Sequence, residues 1–205
     1  MRVWLCGLLA AMVVVGAQAA DEPQDSGHYF KFDVGLNYTG DLHQNFQNFP
    51  LERDIEMNLG VRGSLAEEFV LNRFLAIELE AAAIWNELDG SYDWLMQTPL
   101  LANLILRYEC RGGWTAFVGV GGGGAGVIAK TSALEHDTDF TIVPAWQASA
   151  GLNYKFGNGM RLGLVYKYLG MSDPELELTI QGVTQRFKLE DIHNHYGGLQ
   201  LIYSF

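Results

Sequence analysis

From Tyr29 to Thr39 the side chains take turns: Phe30, Phe32, Val34, Leu36 and Tyr38 on one side, Lys31, Asp33, Gly35, Asn37 and Thr39 on the other. A period of two puts successive side chains on opposite faces of an extended chain, so this segment reads as a strand with one apolar and one polar face. Seven further segments repeat the pattern: Ile55–Leu65, Leu75–Trp85, Thr98–Glu109, Trp114–Gly121, Trp146–Phe156, Arg161–Tyr168 and Gly198–Phe205. Only Leu101 and Ile105 blur the polar side of the fourth. Short turns are expected near Glu67–Asn72, Arg111–Gly113 and Gly157–Gly159. Longer connections run through about 41–54, 86–94, 130–140 and 173–192. An even number of strands, joined by short turns at one end and long loops at the other, is how outer-membrane barrels are built. In the last excursion Leu176, Leu178 and Ile180 face Val183, Gln185 and Phe187 across Gln181-Gly182, which predicts an extended hairpin beyond the bilayer.

A soluble barrel would alternate as well, so the contents of the two faces decide. The polar set holds six cations, Lys31, Arg62, Arg107, Lys155, Arg161 and Lys167, and five anions, Asp33, Glu56, Glu78, Glu80 and Glu109. The apolar set holds ten large aromatics, among them Phe32, Trp114, Trp146 and Tyr166, too many for an eight-stranded lumen to swallow. The aromatics also gather near strand ends, as girdles at two lipid interfaces would. The fold class is therefore all-β: an eight-stranded antiparallel up-and-down transmembrane β-barrel, with charge inside and hydrocarbon outside.

Ahead of the barrel, Arg2, the apolar run from Trp4 to Gly16 and the small residues around Ala17–Ala20 read as a secretory signal covering 1–20. Residues 21–27 form a short lead and 28–205 the barrel. No later stretch offers the 18 apolar residues a spanning helix needs. Two cysteines, Cys6 inside the signal and Cys110 beyond it, exclude a disulfide scaffold. A net charge of −11, from 24 acidic against 13 basic side chains, argues against nucleic acid as a partner.

Four stretches resemble the opacity-protein and surface-antigen family of small bacterial outer-membrane barrels, similar in architecture to the OmpA transmembrane domain. They are Thr98–Leu104, the glycine run Gly119–Gly126, Trp146–Tyr154 and Leu162–Tyr168. The terminal Leu199, Leu201, Tyr203 and Phe205 look like the alternating signal read by the barrel-assembly machinery. The resemblance implies a bacterial outer-membrane location, contact with membrane lipid and lipopolysaccharide, and loops open to a surface ligand. It leaves the function open, because the family holds adhesins, antigens and barrels of no known role.

The near balance of lumen charges favours a packed ion-pair network, since a selective channel would show rings of one sign. The expected function is structural and surface-displaying, with four acidic loops and no catalysis. A narrow ion or small-solute channel is the alternative, and a lipid A-modifying barrel enzyme the second. For the enzyme, Ser132, Ser149, Ser172 and five histidines are present, but no spacing groups them. His193 and His195, two apart on one strand face, are the only candidate metal ligands; they lack a third, and no metal or cofactor is expected. The glycine run is followed by no lysine-serine pair, so it reads as strand rather than phosphate loop.

Overall fold

The computed structural model describes residues 27–40, 42–46, 52–55, 58–87, 94–130, 139–156, 159–173, 175–180, 183–190 and 192–204. Twelve strands appear in chain order: β1 His28–Thr39, β2 Leu42–Phe46, β3 Glu52–Ile55, β4 Gly60–Val70, β5 Leu75–Glu87 and β6 Trp94–Glu109 come first. They are followed by β7 Trp114–Lys130, β8 Asp139–Lys155, β9 Met160–Met171, β10 Glu175–Ile180, β11 Val183–Glu190 and β12 His193–Ser204. Eight of them close into a barrel in the order β1-β12-β9-β8-β7-β6-β5-β4, every neighbour antiparallel. The seam runs from Tyr29 opposite Ser204 to Thr39 opposite Asn194. Closure matters because an unpaired backbone group in hydrocarbon costs several kcal/mol, and a ring has no edge.

The remaining four strands form a second sheet, ordered β10-β11-β2-β3. Its hairpin pairs Leu176 with Phe187 and Ile180 with Val183, as the sequence predicts. β2 leaves the barrel from β1, and β11 returns to it through β12. Because β1 and β12 are neighbours at the seam, the two excursions meet and pair, Phe187 opposite Phe46.

At the other end the connections are tight. Asn72 Oδ1 accepts hydrogen bonds from the backbone N–H groups of Phe74 (2.9 Å) and Leu75 (3.0 Å), a side chain standing in for a turn carbonyl. Gly112 and Gly113 turn the next connection at φ of 79° and 83°, a region that only glycine enters cheaply.

The expected second strand needs correction. Alternation from Ile55 to Leu65 looked continuous, but Ile55 ends β3 in the second sheet and the barrel strand begins at Gly60. The expected turn at Glu67–Asn72 is displaced too. β4 runs on to Val70, with Glu67 outside and Glu68 inside, so the alternation simply continues. Periodicity carries no mark of where one strand stops and the next, in phase with it, begins. β1 ends at Thr39 as expected, but the barrel strands from β5 onward extend further toward the loops, β7 reaching Lys130 and β8 starting at Asp139.

The two faces are sorted as a membrane requires. Phe32, Leu104 and Leu164 are 44, 45 and 66% exposed, whereas Arg62 and Glu80 are 1 and 0% exposed. An apolar wall of that extent is untenable in water and natural against lipid. Aromatic pairs band it at both ends. Trp114 and Tyr154 (4.9 Å between rings) lie by the short turns, and Trp85 with Trp94 (4.6 Å) lies by the loops.

The glycine run serves the lumen. A Cβ on Gly119 would sit 2.5 Å from Ile105 Cδ1 and 2.6 Å from Ser149 Oγ, so the missing side chain is the space that Ile105 fills. Between β5 and β6 the ladder pauses: partners run to Ala81 opposite Leu100 and resume at Ile84 opposite Gln97. Pro99, in the gap, has no N–H to give.

Candidate functional site

The inward side chains stack in layers. Nearest the short turns, Lys31 Nζ bonds the Glu68 carboxylate and lies 2.7 Å from Glu78 Oε2. Arg107 reaches Glu68 (3.4 Å) and Glu109 (3.0 Å), and Arg161 reaches Glu109 (3.5 Å) and Thr115 (3.3 Å). The Tyr29 ring receives both guanidiniums, at 5.2 Å from Arg107 and 5.1 Å from Arg161, a cation–π contact that desolvation strengthens. A cavity with about 20 Å³ of room for water lies among Lys31, Glu68, Arg107 and Arg161, space for one molecule.

The middle layer centres on Glu80. Its Oε1 accepts from Lys167 Nζ (2.6 Å) and Arg62 Nη2 (2.9 Å), its Oε2 from Gln147 Nε2 (2.7 Å) and Asn103 Nδ2 (3.2 Å). Lys167 also bonds Asp33 Oδ2 at 2.5 Å, Ser64 donates to the same oxygen at 3.0 Å, and Arg62 donates to Gln147 Oε1 at 2.7 Å. Asn103 bonds Glu78 as well (2.9 Å), which ties the two layers together. Six strands contribute, and no pair comes from one local stretch; Lys167 and Asp33 are 134 residues apart.

Toward the loops the lining changes. On the β1, β5, β6 and β12 side, Asn37 bonds Asn86 (3.2 Å) and Asn194 (2.9 Å), and Asn194 donates to Gln97 (2.8 Å). Alongside them Ile84, Leu95, Leu101, Val127, Leu169 and Met171 pack together with Ile192, all buried. Leu101 and Ile105, which blur the sequence alternation, are lumen residues, and Ile105 packs with Phe117 and Tyr196 in a second apolar cluster.

Most expected lumen residues are brought together: Lys31, Asp33, Arg62, Glu78, Glu80, Arg107, Arg161 and Lys167 are buried. Glu109 stays half exposed at the rim while paired with Arg107 and Arg161. Lys155 requires correction: it ends β8 exposed beside the short turn, because the lumen side of a strand becomes solvent once the strand leaves the ring. Glu56 lies outside the described residues, as do Ser132 and Phe205. Glu68 is the residue sequence reasoning missed. Carrying the alternation three residues beyond Leu65 reaches it.

Leu199, Leu201 and Tyr203 project outward from β12. His193 and His195 also face outward. Their Nδ1 atoms pair with the hydroxyls of Tyr168 (2.9 Å) and Tyr166 (2.8 Å). These neighbours are not a metal shell, and among the described residues no three His, Cys, Asp or Glu side chains gather to hold an ion.

No family model matches the sequence, and no curated protein matches it. Solved structures do. The neisserial surface protein A is 11% identical, with a TM-score of 0.60 over 90% of this chain and 100% of that one. The outer membrane protein OprG of Pseudomonas aeruginosa is 10% identical, with a TM-score of 0.63 over 87% and 97%. The outer membrane protein AlkL, solved in lipid bilayers, is 18% identical, with a TM-score of 0.60 over 92% and 94%. At such identities the likeness speaks for the fold alone, and it agrees with the apolar wall, the girdles and the closed ring. This chain is a small eight-stranded β-barrel of the bacterial outer-membrane type.

Proposed function

We propose that the chain is a structural, surface-displaying barrel whose lumen is sealed. The observation that supports this most directly is the four-way clasp on Glu80, which joins strands from opposite sides of the ring. Among the described residues the buried charges are five cations, Lys31, Arg62, Arg107, Arg161 and Lys167, and four anions, Asp33, Glu68, Glu78 and Glu80. Glu109 at the rim completes the balance. A selective pore would favour a ring of one sign over such a balance. Above the clasp, an apolar cluster packs into the lumen beside Asn37, Asn86, Gln97 and Asn194, whose amides bond one another. Purified, refolded barrel in planar bilayers should therefore show no steady open conductance. A large, persistent one would overturn the reading in favour of the channel.

The reading is also non-catalytic. The outer membrane protease OmpT has a similar fold, at 6% identity and a TM-score of 0.53. In the present chain Glu80 and Asp33 are spent on Lys167 and Arg62, so they are poorly placed to activate a nucleophile. Incubation with labelled lipid A or labelled peptides should leave both intact. Residues 1–20 serve export in this reading, and Leu199, Leu201, Tyr203 and Phe205 engage the assembly machinery. The loops face outward toward lipopolysaccharide or another surface ligand.

A further inference from the structure

Six barrel strands meet around one cavity in the short-turn layer. Lys31 of β1, Glu68 of β4, Arg107 of β6, Thr115 of β7, Asn153 of β8 and Arg161 of β9 line it together with apolar side chains, around about 20 Å³ of room for a water-sized occupant. Glu68 is the one carboxylate among these residues, and both its oxygens are taken, Oε2 by Lys31 and Oε1 by Arg107 (3.4 Å). The unspent groups are mostly donors. Arg107 Nε has no hydrogen-bond partner, although the residue is only 6% exposed. Thr115 Oγ1 accepts from Arg161 Nη1 (3.3 Å), which turns its own proton elsewhere. Lys31 spends two of its three N–H bonds, on Glu68 and on Glu78 (2.7 Å).

An orphaned, buried guanidinium N–H is costly, and so is a surplus of buried charge of one sign. The surplus is here. Lys31, Arg107 and Arg161 are buried against Glu68 and Glu78, while Glu109, the third carboxylate of the layer, is half exposed at the rim and does not line the cavity. A water would accept from these donors but would then have two protons of its own to place. The lining acceptor left for them is Asn153 Oδ1, and it leans over Gly163, 1.9 Å from where a Cβ there would stand. A monoatomic anion accepts from every donor and has no proton to place. Charge-assisted bonds of this kind are the strong ones. Room for one small sphere excludes phosphate and sulfate and leaves a halide.

The geometry points to a chloride-binding site in the short-turn layer, with Arg107 Nε, Thr115 Oγ1 and Lys31 Nζ donating to one buried ion. The site lies on the short-turn side of the Glu80 clasp, so it stands whether or not the lumen conducts. The probe is chloride itself, exchanged for gluconate at constant ionic strength while the full chain is unfolded by urea in lipid vesicles. Between chloride-free buffer and about 0.1 M chloride, the folded-to-unfolded ratio should rise about tenfold and level off, as one site with a Kd of about 10 mM requires. Bromide should replace chloride. Thr115→Val removes a donor while keeping the shape, and should flatten the chloride response whatever it does to stability itself. No response in the unaltered protein leaves a water in the cavity and overturns the site. A response that rises without levelling, or that Thr115→Val leaves intact, marks an adventitious ion only and overturns it too. Should the variant not fold, the chloride nuclear resonance in the presence of the unaltered folded barrel decides. Broadening that saturates at one ion per chain and is displaced by bromide supports the site, and its absence refutes it.

Discussion

Toward the short turns the lumen is filled by Lys31, Glu68, Glu78, Arg107 and Arg161, each held by at least one partner of opposite charge. Toward the loops, beside the Asn37, Asn86, Gln97 and Asn194 amides, it is filled by Ile84, Leu95, Leu101, Val127, Leu169 and Met171, which need nothing from one another but shape. Both fillings close the same ring. The difference lies in how each responds to loss. A charged lining tolerates no unpaired member, because removing one partner strands the other in a medium that solvates it poorly. An apolar lining loses only transfer energy and packing, in proportion to the hole left behind.

Four substitutions put that contrast to the test, each read as the midpoint of urea unfolding in lipid vesicles. Glu80→Ala should cost most, about 4 kcal/mol, since it leaves Arg62 and Lys167 buried without their carboxylate. Added salt should barely alter that loss, because buried pairs are little screened. Leu169→Ala, in the apolar half, should cost about 3 kcal/mol. A cost near zero would show that this half is not packed, and with it the stopper above the clasp would fail. Gly119→Val should cost about 2 kcal/mol by overpacking, since its side chain would compete with Ile105 and Ser149. Glu109→Ala should cost less than about 1 kcal/mol, because its side chain is half exposed and both guanidiniums keep other contacts. If Glu109→Ala proved as damaging as Glu80→Ala, the distinction between rim and clasp would collapse.

The same contrast explains what could be read from the sequence. Where one face is charged and the other apolar, as in Lys31 against Phe32, the alternation is loud. The β10–β11 hairpin was legible for a similar reason, a turn signal between two phased segments. In the middle of β6 both faces are apolar: Leu100 and Ala102 lie outside while Leu101 lies within, and no period survives to separate them. Leu101 therefore looked like noise when it was lining. Glu68 was lost to a different cause, since a charged residue near a turn resembles the turn itself. Lys155 was misplaced because phase says which side a residue faces but not whether the ring still surrounds it. The pairings were out of reach altogether. Arg62 and Gln147 lie 85 residues apart, and nothing local in either announces the other.

The seam between β1 and β12 has its own corollary. A ring whose first and last strands touch cannot be shortened by degrees: a chain ending before β12 would hold two raw borders in oil, at β1 and at β9. The wall of the closed ring is consequently the same wherever its chain begins. A tether joining the neighbouring ends of β1 and β12, with new termini cut between Glu87 and Trp94, would yield a circular permutant with an unchanged wall.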